Sequence, residues 1–261
     1  MMRVHGFDPH TPSIARVYDY LLGGKDHLAV DREFGEQLVA IYPEAREVVA
    51  ENRQFLARAV TWAARQGISQ FIDLACGMPA EPGMHETAQA ARADARMAYV
   101  DNDPVALAHL RAFAEHGNEA VTVAGGDARD VAQVLKAAST GIDLTAPVCV
   151  LIGCLLHFFP ATEARDLIAG YAAALAPGSY LVVSVGRGDG PKVDAFFRTY
   201  SDRATPVHNY PAAEIAGFFG PLPLVPPGMV EARDWHPDAA ETPGAVTREG
   251  QMLVGVAVVN R

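Results

Sequence analysis

The chain contains no Gly-x-Gly-x-x-Gly run, so it lacks the bare-backbone cradle in which a dinucleotide pyrophosphate sits against a helix N-terminus. It has only three cysteines, Cys76, Cys149 and Cys154, without Cys-x-x-Cys spacing. That argues against a disulfide framework or a cysteine zinc site and reads as reduced thiols in a cytoplasmic protein. The histidines, among them His5, His10 and His236, show no His-x-x-x-His spacing, so no metal is expected. Basic residues are outnumbered, 21 Lys and Arg against 31 Asp and Glu for a net charge of −10, which argues against a broad nucleic-acid footprint. No apolar run reaches the roughly 18 residues of a membrane helix, and the first residues show no signal-peptide core. A soluble protein with neither a membrane nor a nucleic-acid partner is the expectation.

What is present is enough apolar sequence for one substantial core: 261 residues, 50% hydrophobic, the size of a single α/β domain with additions. Thr11-Pro12 opens a helix that Gly23-Gly24 closes, with Ile14, Val17, Tyr18, Leu21 and Leu22 on one face. Further helices are expected over 31–41 and 44–66, so that residues 1–68 form an N-terminal helical extension or lid. From residue 70 the pattern alternates: strands over 70–75, 97–101, 120–124, 147–154 and 179–185, with helices over 84–93, 103–116, 130–138 and 161–175. Residues 69–261 thus read as a mostly parallel sheet with right-handed crossovers, a helical insertion over about 191–220 and a closing antiparallel hairpin that ends in 252–259. The Pro/Gly-rich loop 236–250 reads as the most mobile segment.

The chemistry concentrates at two strand ends. Phe71 to Gly77 is an apolar strand running into a small-residue loop, and Tyr99-Val100-Asp101 is a second strand ending on a carboxylate. Asp101 is placed to accept hydrogen bonds from both hydroxyls of a ribose, and the loop after Asp73 lets a ligand approach backbone. Asp103, followed by Pro104, is instead a helix cap.

The loop Asp73-Leu74-Ala75-Cys76-Gly77-Met78-Pro79 resembles motif I of the class I S-adenosylmethionine (SAM) methyltransferases, Asp-x-Gly-x-Gly-x-Gly, with Ala75 and Pro79 replacing the first and last glycines. Gly125-Gly126-Asp127-Ala128 and Leu175-Ala176-Pro177-Gly178 follow in the order of that superfamily. With Ile14 to His27 and Asn52-Arg53-Gln54-Phe55-Leu56, nearly the whole chain resembles the actinobacterial S-adenosyl methyltransferase family once catalogued as a domain of unknown function. The resemblance implies a Rossmann-like class I fold with a seven-stranded sheet, SAM as cofactor and S-adenosylhomocysteine (SAH) as product. It leaves the methyl acceptor, expected to be a small molecule, and the oligomeric state undefined.

Under that resemblance Asp73, Ala75 and Gly77 form the cofactor loop, with Asp73 orienting it or approaching the methionine amino group. Asp101 holds the ribose, Asn102 flanks the adenine, and Asp127 and the Ala128 N–H contact its ring. Tyr18 lies near the methyl donor, while Arg16, with Lys25 and Arg53 as alternatives, pairs with the methionine carboxylate. Each also has a plainer reading: Asp127 as a turn residue, the cations as salt bridges, Cys76 as a small loop residue. His157 follows the fourth strand and is the candidate general base, with a core-wall histidine as its rival. His208-Asn209-Tyr210 are candidates for a substrate pocket. Two other functions stay open: a SAM-binding sensor or interaction module without catalysis, and a nicotinamide enzyme, which the missing glycine fingerprint disfavours.

Overall fold

The computed structural model describes residues 8–236 and 248–260. Seven strands form one sheet in the order β3-β2-β1-β4-β5-β7-β6. The strands are β1 (Gln70–Leu74), β2 (Arg96–Asp101), β3 (Val121–Gly125), β4 (Cys149–Gly153), β5 (Tyr180–Gly188), β6 (Val230–Glu231) and β7 (Gly250–Val258). The first five pair in parallel; β7 runs antiparallel to both β5 and β6. β1 and β4 are buried along nearly their whole length, as strands covered on both faces must be, which is why they read as continuous apolar runs rather than alternating ones.

The helices are α1 (Ile14–Leu22), α2 (Ala29–Ile41), α3 (Ala45–Arg65), α4 (Met84–Ala91), α5 (Pro104–Leu110), α6 (Val131–Ala138), α7 (Ala161–Ala174), α8 (Pro191–Arg203) and α9 (Ala212–Phe218). One apolar core joins α3 and α4 to Phe71, Met97, Leu151, Val182 and Val254. A second joins α6, α7 and α9 to Ile72, Ala98, Val150 and Val183. Odd and even strand residues therefore serve opposite faces, as the period of two requires. A third, smaller cluster joins α1, α2 and α8 through Val17, Leu21, Phe34, Leu38 and Tyr200. Thus α3 belongs to the sheet's own helical layer, while α1, α2 and α8 pack on one another.

Local chemistry shifts several expected boundaries. The first helix starts at Ile14 rather than beside Thr11, because the Thr11 hydroxyl donates to Asp8 (2.6 Å) and Ser13 takes the cap position. The Ser13 hydroxyl makes no cap either: it donates to Asp103 Oδ2 at 2.8 Å, tying the start of α1 to the end of β2. Gly23 closes α1 in the left-handed region at φ 82°, as a helix-terminating glycine does. The helix after β2 ends its α-helical part at Leu110 and continues as a π-helical turn through Glu115. Residues 222–225 join the sheet by a single bridge, Leu224 to Ala257, and the hairpin partner of β7 is β6. The loop expected to be mobile falls outside the described residues except at 236 and 248–250.

Candidate active site

The carboxyl ends of β1, β2, β3, β4 and β5 open into a cavity of about 750 Å³, with α1 and α8 on its other side. Its walls include Arg16, Tyr18, Asp73, Ala75, Gly77, Asp101, Asn102, Asp127, Ala128 and His157, all nominated from the sequence. Five segments distant in the chain supply them, so the convergence comes from topology. Ligands of open α/β sheets bind in this crevice, beyond the strand ends.

The loop after β1 is shaped by two left-handed residues, Ala75 at φ 51° and Gly77 at φ 67°. Glycine accepts that conformation freely, whereas alanine is held there at a cost. The Gly77 N–H donates to Asp101 Oδ2 (2.8 Å), and the Asp103 N–H donates to Asp101 Oδ1 (2.8 Å). Asp101 therefore ties the β1 loop to the start of α5 and keeps further lone pairs on each oxygen. Burial raises its pKa, against the lowering effect of these two N–H groups. Asp103 accepts from the Val105 N–H (2.8 Å) and caps α5, with Pro104 at its first position. A side chain on Gly77 would begin 3.7 Å from Ala15 Cβ, so α1 lies directly over the loop.

Asp73 is 7% exposed, and its carboxyl is raised to about 7 by burial and by Asp101, with the Arg53 guanidinium opposing. Burial pushes the Cys76 thiol well up, consistent with a packed loop residue rather than a nucleophile. Asp127 accepts from Arg129 Nε (2.9 Å), Nη2 and backbone N–H, and this pairing holds its carboxyl below the usual range. It is both a turn residue and a wall of the cavity. Arg16 donates to Asp31 Oδ2 (2.6 Å) and to the Thr11 carbonyl (3.1 Å) inside the helical layer, with side-chain exposures of 4% and 0% for the pair. Arg16 thus forms a buried ion pair, not the surface salt bridge expected as the rival reading, while also bordering the cavity. Arg53 lines the cavity and donates to the Ala80 and Pro82 carbonyls. Lys25 lines a separate shallow recess with His27 and His109.

At the other end, the Tyr18 hydroxyl donates to the Val49 carbonyl (3.3 Å) and accepts from Asn52 Nδ2 (2.8 Å). Burial depresses His157 to about 4, aided by His208, so its imidazole is neutral at physiological pH, and its Nδ1 is buried without a partner. His208, Asn209 and Tyr210 do not line the cavity, which corrects the expectation for them. Tyr210 is turned into the core, donating to the Phe159 carbonyl, and Asn209 binds the Gly188 backbone. Sequence reasoning missed Phe196, Tyr200 and Met252, which α8 and β7 bring in. The signal for Phe196 and Tyr200 was the helical spacing of Val193, Phe196, Tyr200 and Ala204; Met252, on β7, had no comparable one. Among the described residues no group of three His, Cys, Asp or Glu side chains is placed to hold a metal. No described helix is long and apolar enough to cross a membrane.

Residues 3–260 match the model of a family described as S-adenosyl methyltransferase. A candidate methyltransferase from Thermobifida fusca YX is 32% identical, covers 97% of this chain and 96% of its own, and superposes with a TM-score of 0.89. A DUF574 family protein from Streptomyces avermitilis MA-4680 is also 32% identical, covers 98% and 99% respectively, and gives 0.87. Magnesium protoporphyrin IX methyltransferase from Synechocystis PCC 6803, solved with bound SAH, shares only the fold: 13% identity, 92% of both chains and a TM-score of 0.51. No curated protein matches the chain in sequence.

Proposed function

The chain belongs to the S-adenosyl methyltransferase family, and from that premise we propose that its cavity binds SAM across the tips of β1 and β2 and delivers its methyl group to a small-molecule acceptor. The observation that carries the placement is Asp101, whose carboxylate is fixed by the Gly77 and Asp103 N–H groups at the cavity floor. Its remaining lone pairs suit the two hydroxyls of a ribose, and the loop beside it brings bare backbone close. The nicotinamide reading is set aside with the family assignment.

The residues present fit the cofactor's chemistry. When bound, SAM supplies a methyl group already activated on a sulfonium. The carboxyls of Asp73 and Asp101 then provide the negative end that a cation and an α-amino group need, and Arg53, beside Asp73, is better placed than Arg16 to receive the carboxylate. Asn102, Asp127 and the Ala128 N–H edge the adenine side. Tyr18 spends its hydroxyl on Val49 and Asn52, so it acts as a ring wall rather than a proton carrier. His157, neutral and unpartnered at Nδ1, is the general-base candidate: it can accept a hydrogen bond from the acceptor, while its depression to about 4 works against taking the proton fully. Positioning and exclusion of water by α1, α3 and α8 carry the rest.

The direct test is incubation with isotope-labelled SAM and a small-molecule cell extract. Extract-dependent SAH formation with label in a low-mass product is the expected result. Cofactor binding without turnover in any fraction would instead favour a sensor or interaction module.

A further inference from the structure

The end of the cavity away from Asp101 is built from rings and sulfur. His157 and Phe158 have centroids 4.4 Å apart, Phe158 and Tyr200 6.1 Å, and Tyr200 and Phe196 6.1 Å, forming a continuous wall from the end of β4 to α8. Cys154 Sγ lies 3.8 Å from Met252 Sδ. Gly186 completes the wall: a Cβ there would sit 3.8 Å from Met252 Cε and 3.9 Å from His157 Nδ1, so bare backbone borders that nitrogen. Among the described residues at this end, the buried polar atoms without a partner include His157 Nδ1, within the ring wall and bordered by Gly186, and Asn52 Oδ1, whose amide nitrogen donates to Tyr18. Resting on the methyl-transfer reading above, we propose that this end of the cavity takes an uncharged aromatic ring carrying a hydroxyl, bonded through that hydroxyl to His157 Nδ1.

Two physical arguments converge. Aromatic walls favour a ring, which makes face and edge contacts that an aliphatic chain of equal area does not. The wall's titratable groups are all held neutral: burial lowers His157 to about 4, pushes Cys154 up to about 12 and raises Tyr200. A charged ligand would lose its hydration there without gaining an ionic partner from the wall. A hydroxyl, both donor and acceptor, satisfies Nδ1 in either imidazole tautomer; an ammonium or a carboxylate serves only one. The competing anchor is Arg187, which also lines the cavity, with its Nε buried and unpartnered. Its Nη2 is paired with the exposed Asp189, and Gln251, oriented with its nitrogen toward Glu231, accepts from its Nη1 at 3.2 Å. An anionic ligand held by Arg187 is the alternative the experiment must separate.

The test is calorimetric titration of the full chain, with and without saturating SAH, using 2-naphthol, 2-naphthoate and 2-naphthylmethylamine as probes. The proposal expects 2-naphthol to bind and both charged isosteres to bind at least about tenfold more weakly. His157→Phe should weaken 2-naphthol by about tenfold, His157→Gln should restore most of that loss, and SAH affinity should be unchanged in both. Should His157→Phe fail to fold, selectivity among the three probes decides. Equal or tighter binding of 2-naphthoate would hand the anchor to Arg187 and overturn the proposal. So would equal or tighter binding of the amine, indifference of 2-naphthol to His157→Phe, or no 2-naphthol binding by a protein that binds SAH. If SAH itself does not bind, the cofactor reading falls separately, and the probe series on the protein alone still decides ring recognition.

Discussion

Asp73 and Asp101 lie near the ends of adjacent parallel strands and face one buried space, where burial and the Asp101 charge make ionisation of Asp73 harder. The Asp73 carboxyl, raised to about 7, keeps its proton in the folded protein over a range where the unfolded chain has lost it. Its contribution to stability is therefore present at low pH and lost as pH rises through about 4 to 7, in the absence of ligand. Asp73→Asn should raise the unfolding free energy at pH 8, by at most about 4 kcal/mol at 1.36 kcal/mol per unit, and flatten that slope. Urea titrations at pH 5 and 8 measure it; an unchanged pH dependence would contradict the assigned burial. Asp101, Gly77 and Asp103 were legible because a strand tip, a tight turn and an Asp-Pro helix start each constrain one residue locally. The fate of Arg16 was not, since Asp31 lies on another helix and only packing brings the two together. Arg129 lies two residues from Asp127, yet the clamp it forms depends on a turn whose geometry the sequence left open.

At the scale of the element, α1 shows how far periodicity reaches. Its apolar stripe announced a packed helix, but not that Asp31 would organise it: this carboxylate is fully buried and accepts from the Ser13 and Leu28 N–H groups as well as from Arg16. Asp31→Ala removes the carboxylate from the buried guanidinium and leaves two N–H groups unsatisfied, and should cost roughly 3–5 kcal/mol. Chemical denaturation gives the size, and hydrogen exchange concentrated in α1 and α2 gives the place; a loss below 1 kcal/mol would reduce the pair to a surface-like interaction. The strands β1 to β5 were readable because each is a short apolar run bounded by turn residues. Residues 222–225 carry the same composition but lie at the β7 edge, where a single bridge replaces a ladder. The helix α8 was expected only as an insertion, and its aromatic face gained meaning from the cavity it closes.

For the whole molecule, the sheet order sets the crevice, α1, α3 and α8 wall it, and α2 packs against α1 and α8. The alternation of strand and helix made the sheet legible, whereas nothing local specifies that α8 should meet α1 and α2 across the strand tips. If these helices close over the ligand, SAH should slow both proteolysis and amide exchange across α1 and α8 while leaving α6 and α9 unaffected. Uniform protection, or none, would argue for a preformed roof instead. The account stands above all on SAM binding at Asp101. Its most direct test is calorimetric titration of the purified chain with SAM and SAH, beside Asp101→Ala and with NAD as a control. The account predicts saturable binding of both SAM and SAH, weakened in the variant by more than about 1.4 kcal/mol, or tenfold, with no NAD binding. A folded protein that binds neither, or binds both equally well without Asp101, would contradict it.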